Sequence, residues 1–304
     1  MPELWLVCEG DSDLRILSSV LTQVLAADIL VKPAGGAGSA PSVADYLVRT
    51  HKVDVAYVID RDYRRKEVCE RAFTDGKRCF LWRRHAIESY LLEPAVIAQA
   101  VRSLKASVPA LPGGRSARVL SLPEDPSSLA EGLRSCASKR GPAEAGHLAL
   151  QRLWEDLSET AGRVQRRAPP VLGARAPDPA ACKQALLEEA ARLATKGREA
   201  ADSPHLAAAS VGARYEEQLA HVSSDGYLAG LRFLEEFNAK ELLGAFLTWL
   251  QEEHQVSLKR RTLVEELEKA VPFVYGANRS VYGTDDFCDL ANGVRALAGL
   301  PPLG

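Results

Sequence analysis

Short apolar runs broken by acidic turns fill the first hundred residues of the chain, and longer helical periods replace them afterwards. Leu4 to Cys8 is apolar, too short for a helix, and ends at the polar turn Glu9-Gly10-Asp11-Ser12-Asp13, which predicts a strand. Leu17, Leu21, Val24 and Leu25 then follow helical spacing. Asp11, Ser12 and Asp13 are all able to cap that helix; Asp11 reads as a cap, whereas Asp13 serves equally as cap or ligand. Ile29 to Val31 predicts a second strand, and Pro33 to Pro41, with Gly35, Gly36 and Gly38, a flexible connection to a helix around Val43 to Thr50. Val53 to Ile59 is nearly all apolar, as for a central parallel strand covered on both faces, and stops at Asp60-Arg61-Asp62. Lys77 to Trp82 predicts a fourth strand, followed by Arg83-Arg84-His85, by Ile87-Glu88-Ser89-Tyr90, and by a helix from Pro94. Strands alternating with helices in this way predict an α/β fold.

Beyond about residue 104 the pattern is helical. Segments rich in Ala, Leu and Glu predict helices over 127–137, 143–163, 180–196, 213–236, 239–254 and 261–270, with loops such as Leu111-Pro112-Gly113-Gly114 and Ala168-Pro169-Pro170 between them. In 239–254 the residues Leu242, Leu243, Phe246, Trp249 and Leu250 form one apolar face. A length of 304 residues exceeds the usual single domain, so the expected division is an α/β domain over 1–104 and a mainly α-helical region over 105–304 for partner binding, dimerisation or substrate grip.

Charge narrows the function. A formal net charge of −2 excludes a global basic footprint, so any nucleic-acid contact relies on local patches. The six cysteines are dispersed without a CxxC pair, which argues against a zinc site and a disulfide framework. With no apolar leader and no apolar run of membrane length, the expectation is a cytoplasmic protein with no membrane contact. GxGxxG, Walker-type, GxSxG and HExxH patterns are all absent, and His147, His205, His221 and His254 are scattered, which leaves ATP hydrolysis, serine hydrolysis and zinc proteolysis without support.

The acidic residues remain. On an extended strand residues two apart share a side, so Asp60 and Asp62 are able to face one cation while Arg61 turns away. Magnesium prefers a few carboxylates together with water and phosphate oxygens, so an acidic pair beside Glu9 suits phosphoryl transfer. DxD after a strand also occurs in haloacid-dehalogenase-like phosphatases, but Tyr63 stands where those enzymes carry Thr or Val. Arg61, Arg64, Arg65, Lys66, Arg83, Arg84 and His85 lie near these loops in sequence, either to neutralise phosphates or as a solvated rim.

The segments LWLVCEGDSDLRIL, VAYVIDRDYR and RRHAIESYLLEP, in that order, resemble the TOPRIM fold of topoisomerases, primases and OLD-family nucleases over about residues 3–100. The likeness extends to OLD-lineage nucleases that act as effectors in anti-phage systems such as PARIS. A fainter echo is FNAKELL, where such proteins often carry Gly-Lys and this chain has Ala239-Lys240. The resemblance implies a TOPRIM-like (Rossmann-like) parallel four-stranded sheet with the first strand beside the third, placing Glu9 next to Asp60 and Asp62 at a switch point. It implies Glu9, Asp60, Asp62 and Glu88 as catalytic residues, and Glu9, Asp13, Asp60 and Asp62 as ligands of one or two Mg2+ or Mn2+ ions. Glu88 also has a bland role, pairing with Arg83 or Arg84. Arg64, Arg83, Arg84 and Lys240 become substrate-binding residues. The implied activity is metal-dependent cleavage of RNA (tRNA among the substrates) or DNA by a toxic defence effector. A separate ATPase sensor would control it, and a homodimer is compatible with the helical region. The alternative is a catalytically silent TOPRIM scaffold that binds nucleic acid or an ATPase.

Overall fold

Alternation along the first strand decides how the sheet is covered. In a computed structural model, which describes residues 4–64, 78–107, 115–161, 178–195, 203–277 and 284–303, the strands are β1 (Leu4–Cys8), β2 (Ile29–Pro33), β3 (Asp54–Ile59) and β4 (Cys79–Leu81). All pair in parallel, in the order β2-β1-β3-β4, with Leu4 opposite Ile29 on one side and Asp54 on the other. Leu4, Leu6 and Cys8 join Ala56, Val58 and Phe80 in the main core, while Trp5, Val7 and Val55 pack on the other face against Ala40, Ala44 and Leu47. Those last three lie on α2 (Ala40–His51), which follows α1 (Asp11–Ser19) in the chain. The strands stand where the apolar runs place them; Lys77, expected in the fourth, lies outside the described residues.

Helix α1 runs on into a π-helical turn, Val20–Val24, and a 3-10 helix, Ile87–Leu92, precedes α3 (Pro94–Ser107). The remaining helices are α4 (Arg115–Leu120), α5 (Pro126–Ala161), α6 (Pro179–Ala194), α7 (Ala208–Val222), α8 (Asp225–Ala229), α9 (Phe233–Glu236), α10 (Ala239–His254), α11 (Arg260–Ala277) and α12 (Thr284–Leu297). Helices expected over 127–137 and 143–163 are one helix, α5, which passes through Gly141-Pro142. The Pro142 carbonyl accepts the Tyr215 hydroxyl at 3.3 Å, and Leu133, Ala137, Ala143 and Ala145 are buried on both sides of the proline, so packing outweighs the hydrogen bond it removes. The stretch 213–236 is instead interrupted: α7 stops at Val222 and Ser224 starts α8. Helices α4 and α12 fall outside the expected set, and the Leu111–Gly114 and Ala168–Pro170 loops lie outside the described residues.

The expected boundary near residue 104 does not separate two cores. One cluster of buried side chains runs from Leu6 and Val58 of the sheet through Val96 of α3 to Leu267 of α11 and Leu290 of α12. Helix α12 rests against β1 and β3, and α11 packs along α3 and the π-helical turn. Among the described residues no helix is long and apolar enough to cross a membrane, and Cys8, Cys136 and Cys182 are buried free thiols.

Candidate active site

Because β1 and β3 are adjacent and parallel, the residues that follow them emerge at the same edge of the sheet. Glu9 follows β1 and Asp60 follows β3, and the Asp60 amide donates to Glu9 Oε1 at 2.9 Å. Gly10, extended, precedes α1, and its amide donates to Asp13 Oδ2 at 2.9 Å, which folds Asp13 back to only 6% exposure. Asp11 is therefore the first helical residue and not the cap expected; it opens onto the pocket. The 3-10 helix brings Glu88 in from a third direction, with the Ile87 amide 3.4 Å from Asp60 Oδ1.

Lys240 arrives from the far end of the sequence. Asn238 Oδ1 caps α10 by accepting from the amides of Lys240 at 3.0 Å and Glu241 at 3.2 Å, so Lys240 stands in the first helical turn. Its Nζ lies 3.1 Å from Glu88 Oε1, which gives Glu88 a different partner from the Arg83 or Arg84 weighed for it. A pocket of about 390 Å³ results, lined by Glu9, Asp13, Asp60, Glu88 and Lys240 with the Gly10–Ser12 turn and the Gly35-Gly36 backbone. From sequence the glycines are expected only as a flexible connection. Their φ values of 79° and 144° demand glycine, and the Gly36 amide donates to the Glu9 carbonyl at 2.8 Å, so they form a wall of the site.

Asp62 departs from expectation. Strand β3 ends at Ile59, so the two-residue alternation stops before the DxD segment, and Asp62 takes a left-handed φ of 53°. Its amide donates to the His85 carbonyl at 2.8 Å, while its side chain, 57% exposed, lies 3.4 Å from Arg64 Nη1 and outside the pocket lining. Arg61 does turn away, donating to the carbonyls of Arg64 at 2.7 Å and Arg83 at 2.6 Å.

Three of the four residues expected to bind substrate are engaged elsewhere. Arg64 Nη1 donates to the carbonyls of Asp60 at 2.6 Å and Arg61 at 3.0 Å, clamping its own loop. Arg83 reaches Asp286 at 2.8 Å and Asp289 at 2.5 Å, tying the post-β4 loop to α12. Arg84 is buried against Glu93 and over the Tyr90 ring, so it is an internal counterion and presents no charge to a substrate. His85 is buried beside Tyr63, and burial pulls its pKa down to about 3, leaving it neutral. Arg65 and Lys66 lie outside the described residues.

No local motif points to Glu144. This fully buried carboxylate of α5 accepts from the Tyr63 hydroxyl at 2.9 Å and the Asn238 amide at 3.3 Å, joining the loop after β3 to the start of α10. Only the folded chain brings these three segments together.

The electrostatics follow from the crowding. Burial, with Glu9, Glu88, Asp13 and Asp62 around it, pushes the Asp60 carboxyl up to about 9. Burial raises Asp13 to about 6 against the opposing Gly10 amide, and it raises Glu9 against the Asp60 amide. For Lys240 burial works against the ammonium, but Glu88, Asp60 and Asp13 outweigh it and hold the pKa above its ordinary value. Among the described residues no group of three or more His, Cys, Asp and Glu side chains is spaced to hold a metal ion. The donor set nevertheless suits a hard cation: five carboxylates line the pocket, Asp11 included, and Glu88 Oε2 is buried without a hydrogen-bond partner among the described residues. Magnesium asks for only one or two carboxylates, with water completing its shell, so a preformed cage of three is not required.

Comparison of the sequence with protein-family models and with curated proteins finds no match.

Proposed function

We propose that this protein is a metal-dependent nuclease that hydrolyses phosphodiester bonds of RNA, tRNA included, or of DNA. The observation that supports this most directly is the meeting of Glu9, Asp13, Asp60 and Glu88 at one sheet edge, where burial and their mutual repulsion raise the Asp60 pKa to about 9. Carboxylates so arranged disfavour their own charge unless a cation joins them. Glu9 and Asp60, which meet through the Asp60 amide, would hold Mg2+ or Mn2+ with water completing the shell, while Asp13 lines the same pocket and Asp62 stays at the rim. A divalent ion bound there supplies neutralisation of phosphate oxygens and a lowered pKa for water. Glu9 has one oxygen fixed by the Asp60 amide and is thereby oriented towards the pocket. Lys240 shares the charge of Glu88 and offers ammonium protons to a phosphate oxygen. Gly35 and Gly36 have open space where a side chain would stand, so a phosphate is able to approach the backbone.

The order of the acidic segments, which resembles TOPRIM nucleases of the OLD lineage, extends the proposal to a cytoplasmic defence effector held in check by a separate ATPase. A silent scaffold is the second reading. It is favoured by Lys240, which already places a cation beside Glu88. Incubating the purified protein with plasmid, single-stranded DNA and total tRNA, with magnesium and with chelator, separates the two. Magnesium-dependent cleavage is expected, falling by about a hundredfold or more in Glu9→Gln and Asp60→Asn. Cleavage unaffected by either substitution, in variants with native circular dichroism, rejects the nuclease proposal.

A further inference from the structure

With Arg64, Arg83 and Arg84 engaged internally, a nucleic-acid strand must be gripped elsewhere, and a large basic groove lies next to the acidic pocket. Helix α1 connects the two. Asp11 lines the pocket, and one and two turns further along the same face Arg15 and Ser19 line a groove of about 960 Å³. The opposite wall is α11, which contributes Arg260, Arg261 and Lys269 with Glu265 and Glu268. Four cationic side chains thus face two carboxylates in a protein whose overall charge is slightly negative.

Two of the cations, Arg15 and Arg260, are held in position. Arg15 donates to both oxygens of Glu268, at 2.7 and 2.9 Å, and this 9%-exposed carboxylate fixes the guanidinium at the groove wall. Arg260 has no carboxylate partner among the described residues; its Nη2 donates to the Lys240 carbonyl at 3.1 Å, joining the groove to the helix that carries the pocket lysine. Arg261 is 90% exposed, and its pairing with Glu265, like that of Lys269 with Glu266, is a surface contact that phosphate readily displaces.

We infer that this groove holds the phosphodiester backbone of a single nucleic-acid strand and leads it into the acidic pocket. Helices α1 and α11 touch, and packed helix axes lie about 8–10 Å apart, so the cleft between them is narrower than a duplex whose major groove alone measures about 12 Å. The rise along α1 from Asp11 to Ser19 is about 12 Å, enough for contacts to a few successive phosphates. What happens to the strand in the pocket rests on the nuclease reading, whereas its binding in the groove does not.

The test is fluorescence anisotropy of the full chain with labelled oligo(dT) and oligo(U) of equal length, in chelator, over a range of salt. The Arg260→Gln/Arg261→Gln double variant is expected to bind at least one strand about tenfold more weakly. Its salt dependence should be shallower by roughly 1.4, about 0.7 for each single-strand phosphate that is no longer neutralised. Lys269→Gln tests a second position, and the two strands distinguish DNA from RNA. Binding unchanged in both variants overturns the proposal, as does a poly-glutamate peptide that binds the groove more tightly than either strand. If wild-type binding depends on these residues while no strand is cut in magnesium, the groove stands and the nuclease reading falls. If Asp60→Asn abolishes cutting while the groove variants bind as wild type does, the groove falls alone.

Discussion

Burial first, and then the neighbouring carboxylates, oppose the charge of Asp60, and its proton makes this measurable. An unfolded aspartate releases its proton near pH 4, whereas native Asp60 keeps it to about pH 9. Between those values the native state binds more protons, so stability declines as pH rises through the window. In chelator at pH 8, Asp60→Asn is therefore expected to raise Tm by about 2 °C or more, with the gain vanishing towards pH 4. Thermal scans across pH check this, and a variant less stable than wild type at pH 8 contradicts the cost of burying the Asp60 charge among its acidic neighbours. The same scale shows what single positions reveal in a sequence. Arg84 and Lys240 are both basic residues near proposed site segments, yet one is sealed against Glu93 and the other faces the acids. Residue type carries charge, while burial decides whether a ligand meets it.

At the scale of elements, legibility follows periodicity and fails where long-range packing decides. Strands β1 and β3 are readable because apolar runs halt at Glu9 and at Asp60, and α10 because its buried residues recur at helical spacing. The expected DxD geometry fails because it extends strand alternation past the last strand residue, into a turn where Asp62 has positive φ. Helix α12 buries Phe287, Leu290, Ala291 and Val294, an ordinary helical stripe that is overshadowed in sequence by the stronger periods before it. The continuity of α5 depends on distant partners. One of them is Trp249 of α10, which stacks on Phe246 with ring centres 5.3 Å apart and would lie 2.6 Å from a Cβ at Gly132. Gly132→Ala is thus expected to destabilise by about 1–3 kcal/mol through overpacking, despite the better helix propensity of alanine. Urea unfolding monitored by tryptophan fluorescence measures the change, and a stabilised variant would show that the indole shifts freely.

For the whole molecule, the sheet that carries the acids and the helices that complete the site belong to one core. Leu4, Leu6 and Val58 face a cluster that includes residues of α11 and α12, while Lys240 and the α11 arginines come from the last third of the chain. The composition break near residue 104 is legible, but its meaning is not, because a change of pattern does not say which surfaces meet. A fragment ending at Ser107 should therefore expose the inner sheet face, bind a hydrophobic dye strongly and lack a cooperative melt. A sharp melting transition for that fragment would show an independent domain.

This order of parts also sets a timetable. A ribosome adding about 5–20 residues per second releases the strands first, and the segments that complete the pocket and groove follow on the order of 10–40 s later. A nascent chain thus displays its acidic turns well before it owns Lys240, Arg260 or Arg261, so the pocket and the groove are completed only as the last third of the chain emerges.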